Sequence, residues 1–238
     1  MEFIIDTAQL DAIKKCAEFY PIDGVTTNPT IISREHTDFK KLICEIRSII
    51  GPDKMLHIQT TSDHAADIVE EAKALQETVG GDFYIKIPIS PDGLKAAMEL
   101  KKIGIKVTMT AIFTQQQALI AAKAGVDYVA PYINRLDNIV SDGVHVVEEI
   151  VQIFNYNNIK TKVLAASFKT VEQVHKVALA GGHAVTIAPD LYEKLVYHPL
   201  KMCIRDRYRH RHPQKARTYR CKAWGCYIFR QPSPHARG

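Results

Sequence analysis

The 238-residue chain has no apolar run of the roughly 20 residues that span a bilayer. Its start, MEFIIDTAQLD, lacks the basic opening and long apolar core of a secretory signal. A cytoplasmic protein with no membrane partner is therefore expected. Cysteine is scarce: of five in the chain, only Cys16 and Cys44 precede residue 200. That is too few for a disulfide framework and fits a reducing compartment. Glycine-rich phosphate loops are missing too, since neither GxGxxG nor GxxxxGK[ST] follows any β-rich stretch, which removes the usual support for an open nucleotide-binding sheet.

Charge is present but unevenly placed. Residues 1 to 200 carry 20 Lys+Arg against 25 Asp+Glu, whereas residues 201 to 238 carry 11 against one, so the net +5 describes neither part. The tail also holds three of the cysteines and the single tryptophan, and it has no apolar periodicity. A basic tail with interleaved aromatics can serve as a nucleic-acid arm, and Cys203, His210, His212, Cys221 and Cys226 suggest metal ligands. Their spacing matches none of the usual zinc patterns, so no metal and no cofactor are expected. The hexapeptide Met202-Cys-Ile-Arg-Asp-Arg207, where the chain changes character, back-translates to a transposon mosaic-end adapter. The tail, 202–238, is accordingly read as a spurious or disordered extension of a 1–201 domain, and nucleic acid is not an expected partner.

Over the first 200 residues, β-rich runs alternate with helical patterns such as Ala65-Ala66-Ile68-Val69-Ala72-Leu75. Strands are expected at Glu2 to Asp6, Gly24 to Thr27, Met55 to Gln59, Phe83 to Ile87, Lys106 to Thr110, Tyr128 to Pro131, Lys162 to Ala166 and Ala184 to Ile187. Alternation of this kind argues for parallel pairing, and eight strands is the count of a single-domain α/β fold, the (β/α)₈ TIM barrel. Polar residues gather at the strand C-terminal ends: Asp6, Thr26 with Asn28, Gln59, Lys86, Thr110, Tyr132 with Arg135, and Ser167 with Lys169. In a barrel those ends converge on one face, where active sites are built. Singly, each has a bland explanation as a turn cap or an ordinary strand threonine. Recurrence on seven of the eight strands does not.

The sharpest anomaly is "FYIKIPI", residues 83 to 89, a strand buried on both faces with a lysine at its centre. Such a lysine must reach solvent, find a carboxylate or lose its proton. A neutral amine can attack a ketone to form a Schiff base, whose protonated imine is an electron sink for making or breaking an adjacent carbon–carbon bond. That chemistry also needs a proton relay, which Asp6, Gln59, Thr110 and Tyr132 can supply. Arg135, Ser167 and Lys169 suit a phosphate.

The segments GVTTNPTII, IKIPIS, YVAPYINRLD and VLAASFKT resemble those of the small transaldolase family, along nearly the whole of residues 1 to 200 and most closely its fructose-6-phosphate aldolase branch. The resemblance implies a (β/α)₈ barrel with Lys86 as the Schiff-base residue on the fourth strand. It also implies that Asp6 and Asn28 contact the donor's hydroxyls or assist proton transfer, and that Arg135 and Ser167 hold a substrate phosphate. Lys169 is added by proximity, and Thr26 is read as shaping its loop. Transaldolases of the family tend to have a glutamate at the position of Gln59 and a phenylalanine at that of Tyr132.

With Gln59, Thr110 and Tyr132 holding a water, the expected reaction is reversible cleavage of fructose 6-phosphate to dihydroxyacetone and glyceraldehyde 3-phosphate. The alternatives are a transaldolase that moves a dihydroxyacetone unit between sugar phosphates, and a non-catalytic barrel with a nucleic-acid-binding tail. The resemblance implies that the chain continues after "YHPL" with a helix, which in the aldolase branch packs against a neighbouring subunit in a ring-based, often decameric, homo-oligomer. Residues 202 to 238 offer no amphipathic helix in its place, so weakened assembly is expected.

Overall fold

The computed structural model describes residues 1–197; the tail and the readings that fall on it lie outside the described residues. Eight strands form a closed, all-parallel barrel in chain order: β1 (Glu2–Asp6), β2 (Gly24–Thr26), β3 (Met55–Gln59), β4 (Phe83–Pro88), β5 (Lys106–Ile112), β6 (Tyr128–Pro131), β7 (Lys162–Ala165) and β8 (Ala184–Ile187). The helices are α1 (Leu10–Phe19), α2 (Pro29–Ile32), α3 (Phe39–Ile50), α4 (Ala65–Val79), α5 (Pro91–Lys102), α6 (Gln115–Lys123), α7 (Ile133–Asp137), α8 (Gly143–Tyr156), α9 (Val171–Leu179) and α10 (Pro189–Val196). No helix among the described residues is long and apolar enough to cross a membrane.

Local chemistry explains where the helices begin. Asp38, Ser90 and Asp142 each accept a bond from a backbone N–H in the first turn of α3, α5 and α8, satisfying donors that the helix itself cannot. Thr114 with Gln117 and Thr170 with Gln173 form reciprocal capping boxes at α6 and α9. Pro91 opens α5, where its missing N–H costs nothing.

Strand alternation divides the core in two. Outward residues such as Val25, Leu56, Ile58, Phe83, Ile85, Ile87, Val107, Val129 and Val185 join helix residues including Ile46, Ala72, Leu100 and Ile150 in the main apolar cluster. Inward residues Ile4, Met55, Tyr84, Tyr128, Leu164 and Ala184 form a second, smaller cluster inside the barrel. This explains "FYIKIPI": Phe83, Ile85 and Ile87 face the helices, while Tyr84 and Lys86 face the barrel interior.

The observed strands follow the expected ones with two informative differences. β5 runs on to Ile112 through a register irregularity between Met109 and Ile112, a bulge in which Ala111 takes φ 58°. Short helices α2 and α7 occupy the loops after β2 and β6, beside Asn28 and Arg135.

Candidate functional site

Two residues beyond the inner apolar cluster, toward the strand C-terminal ends, the barrel lining turns polar. Asp6 follows Ile4, His57 follows Met55 and Lys86 follows Tyr84, each on the same face of its strand. Lys86 lies opposite Gln59 on one side and Thr108 on the other. Its side chain is 4% exposed, so it does not reach solvent. Its ammonium makes one long contact, 3.4 Å to the carbonyl of Thr27, and it has no ion pair among the described residues. Two of the three routes open to a lysine in an apolar strand, solvent and a carboxylate partner, are therefore not taken.

The other expected residues fall into two groups around it. On one side, the Thr26 hydroxyl donates to Asp6 Oδ1 at 2.8 Å and lies 2.6 Å from the Thr186 hydroxyl. Asn28 caps α2, its Oδ1 accepting from the Ile31 N–H at 3.0 Å, which leaves its amide NH₂ free to donate. On the other side, the hydroxyls of Thr110 and Tyr132 are 2.9 Å apart. The Arg135 guanidinium stacks 4.8 Å over the Tyr132 ring, and Phe113 meets the same ring edge-on at 5.6 Å. The phenol is thereby fixed by three neighbours.

Ser167 follows an isolated bridge between Tyr132 and Ala166, and its carbonyl accepts from the Asn134 N–H at 2.9 Å. This ties the β7 loop to the start of α7. The side chains of Gln59 and Ser167 make no hydrogen bond to the described residues, and Arg135 forms no ion pair there. Lys169 is exposed; its backbone N–H donates to Gln173 Oε1 at 2.8 Å, and its ammonium makes no hydrogen bond or ion pair among the described residues.

Ala111 and Ser167, beside Thr110 and at the end of β7, both hold positive φ, 58° and 64°. Each conformation costs an L-residue roughly 1–2 kcal/mol, and such strain concentrates at functional sites. Neither is visible in a one-letter sequence.

Two functional candidates escaped the sequence reading. Thr186 comes from β8, the one strand with no candidate of its own, and is 3% exposed. His57 is fully buried beneath the site; its Nδ1 is 2.9 Å from the Thr108 hydroxyl and its ring stacks on Tyr84 at 4.4 Å. Its Nε2 has no hydrogen-bond partner among the described residues. Burial, with the Lys86 and Lys106 charges, pushes the imidazole down to about 3, so it is neutral at physiological pH. The sequence hint was available in both cases: an inward strand position two residues after an apolar inward neighbour.

A cavity of about 500 Å³ opens at the opposite end of the barrel, lined by Tyr84, Tyr128, Lys123, Lys160 and Lys162 among others. Lys162 is already paired there with Glu2 at 2.6 Å. That end of a barrel is where stability, not chemistry, resides. No cluster of three or more His, Cys, Asp or Glu side chains suited to a metal ion occurs among the described residues.

The buried fourth-strand lysine in an eight-stranded parallel barrel coincides with a match of residues 3–231 to the family model described as Transaldolase/Fructose-6-phosphate aldolase. The chain belongs to the transaldolase/fructose-6-phosphate aldolase family. Within it, a "Probable fructose-6-phosphate aldolase" of Streptococcus pneumoniae is 43% identical over 194 residues, covering 81% of this chain and 87% of that one. A "Probable transaldolase" of Clostridium tetani is 44% identical over 200 residues, 84% of this chain and 92% of its own. Another "Probable transaldolase", from Nitrosopumilus maritimus, is 40% identical over 201 residues, with 84% and 89% covered. Among solved structures, one described as "Native KDPGal structure" superposes with a TM-score of 0.59 at 16% identity, over 84% of this chain and 85% of that one. At that identity the likeness concerns the fold alone. Membership in this family supports Schiff-base aldolase or transaldolase chemistry and a sugar-phosphate substrate.

Proposed function

We infer that Lys86 forms a Schiff base with the ketone of a sugar phosphate and that the chain transfers or releases a dihydroxyacetone unit. The observation that carries this reading is the burial of Lys86 without an ion pair, among groups able to hold hydroxyls and move protons. The amine adds to the C2 carbonyl of fructose 6-phosphate, and the carbinolamine hydroxyl, given a proton from solvent by way of the Tyr132 phenol, leaves as water to give the protonated imine. Asp6 accepts the proton of the C4 hydroxyl, the C3–C4 bond breaks, and its electron pair moves into the imine as glyceraldehyde 3-phosphate departs. Arg135 and Ser167, with uncommitted donors, suit the phosphate. Asn28 offers its free amide to a donor hydroxyl, Thr26 supports Asp6, and Lys169 contributes positive charge at the rim.

The fate of the enamine left on Lys86 decides the overall reaction. If a second aldehyde takes it, the chain is a transaldolase; if it is protonated and the imine hydrolysed, dihydroxyacetone is released and the chain is an aldolase. The names carried by the Clostridium and Nitrosopumilus relatives favour the transaldolase reading, which reverses the order expected from sequence. The aldolase reading keeps one specific support: the 2.9 Å contact between Tyr132 and Thr110 presents a phenol to a hydrolytic water, with Gln59 opposite Lys86 on β3.

Borohydride reduction in the presence of dihydroxyacetone tests the shared step. A stable adduct is expected on Lys86 and none in Lys86→Met; an unlabelled Lys86, or an active Lys86→Met, would overturn the mechanism. Incubation with fructose 6-phosphate and no acceptor then separates the two readings, because only the aldolase accumulates free dihydroxyacetone.

A further inference from the structure

The helices α6 and α9 open on the same capping box, and α9 carries it one bond further. At α6, Gln117 Oε1 accepts from the N–H groups of Phe113 and Thr114 at 2.8 and 3.2 Å, and its NH₂ makes no hydrogen bond among the described residues. At α9, Gln173 Oε1 accepts in the same way from Lys169 and Thr170, at 2.8 and 3.2 Å. Its NH₂ then donates to Asp137 Oδ2 at 2.6 Å. The partners fix the orientation of this amide, because two N–H donors face one end and a carboxylate faces the other.

That bond joins the two halves of the candidate phosphate site. Asp137 ends α7, two residues after Arg135, and its Oδ1 accepts from the Gly143 N–H at the start of α8, at 3.0 Å. Lys169 and Thr170 end the loop that carries Ser167. The near side of that loop is already tied to α7, the Ala166 and Ser167 carbonyls accepting from the N–H groups of Ile133 and Asn134 at 3.0 and 2.9 Å. Gln173 ties the far side. Ser167, at φ 64°, thus sits between two anchors, and a strained φ persists only where the surroundings over-determine it. A helix of five residues has little stability of its own, so Arg135 depends on the same anchors.

We propose that Asp137 and Gln173 are positioning residues that hold Arg135 and Ser167 at a fixed spacing, and so set the preference for a phosphorylated sugar over an unphosphorylated one. The proposal rests on the reading of Arg135 and Ser167 as the phosphate site. Asp137 acts through α7 and Gln173 through the Ser167 loop, and neither has to touch the substrate.

The test compares wild type with Asp137→Asn, Gln173→Glu, the two combined, and Arg135→Ala. Gln173→Glu keeps the acceptor of the capping box but sets a carboxylate against Asp137. Asp137→Asn leaves one oxygen for two N–H donors. In the combined variant the amide at 137 donates to the carboxylate at 173, so the bond returns with its direction reversed and the local charge unchanged. The fructose 6-phosphate concentration that half-saturates borohydride trapping is expected to rise about tenfold in each single variant. In the combined variant it should return to within about threefold of wild type. Trapping with dihydroxyacetone, which has no phosphate, should be unchanged in all three, a contrast that general loosening of the barrel would not give. Charge alone would move the single variants in opposite directions, with Asp137→Asn binding the phosphorylated sugar more tightly. The dissociation constant of inorganic phosphate, measured by calorimetry, should follow the same pattern and needs no Schiff base. Single variants that match wild type, that shift in opposite directions, or that are not rescued by combination would overturn the proposal. If Arg135→Ala binds phosphate as wild type does, the phosphate-site reading falls and the proposal with it. Failure to label Lys86 while the phosphate pattern holds would overturn the Schiff-base reading alone.

Discussion

His57 makes the protein acid-sensitive in a way that a single substitution should remove. In the folded chain its imidazole titrates at about 3, against an ordinary value of 6.5. In the unfolded chain it takes up a proton as the pH falls through 6.5, while the folded protein cannot do so until about 3. Between those values the unfolded state binds more protons, so stability rises with pH and is lost on acidification. Each pH unit is worth about 1.36 kcal/mol, so lowering the pH to about 4.5 should remove roughly 2.7 kcal/mol through His57 alone. Other carboxylates and histidines titrate over the same range, and a difference measurement isolates this one. Urea unfolding of wild type and His57→Phe at about pH 7.5 and about pH 4.5 is the assay. Phenylalanine retains the stack on Tyr84 and cannot bind a proton. Loss of the Thr108 partner shifts its stability equally at both pH values. Wild type should lose about 2–3 kcal/mol more than the variant on acidification. Parallel losses, within about 0.5 kcal/mol, would refute the buried, neutral imidazole.

Three further outcomes are expected. Lys86→Met should melt no lower than wild type, because an apolar side chain of similar length replaces a buried amino group held by one 3.4 Å contact; marked destabilisation would mean that the amino group is well compensated. Tyr132→Phe should lower turnover of fructose 6-phosphate about 10²-fold while borohydride trapping persists, as read by parallel product and mass analysis; unchanged turnover would remove the phenol from the relay. At Gly24, an added Cβ would sit 2.3 Å from the Met55 carbonyl oxygen. Gly24→Ala should therefore cost about 2 kcal/mol or more in urea unfolding, and a neutral result would mean that β2 and β3 can separate at that point.

The residues that were legible in sequence are those whose position is set locally. Period-two alternation and the punctuation between strands located β1 to β8 nearly to the residue, and the same alternation singled out Lys86, since a charge among Phe83, Ile85 and Ile87 has few physical outcomes. Strand-end placement brought in Asp6, Gln59, Thr110 and Tyr132. Lys169 is different: it joins the site only because it follows Ser167 closely, and two residues along a loop do not fix where a long side chain goes. The end of β5 was also misplaced, because a bulge carried by an alanine at φ 58° leaves no compositional mark where glycine would have left one.

The alternation of buried and polar positions thus determined, from the sequence alone, that this chain closes eight parallel strands around a lysine. Which of its three routes that lysine takes depends on what surrounds Nζ, and only barrel closure decides that. Thr26 and Thr186 are 160 residues apart, and His57 reaches Thr108 across β4. No local pattern encodes such meetings. They arise because closing the sheet brings β8 against β1 and turns every second side chain toward one axis, where a hydroxyl or imidazole must find its partner inside the barrel.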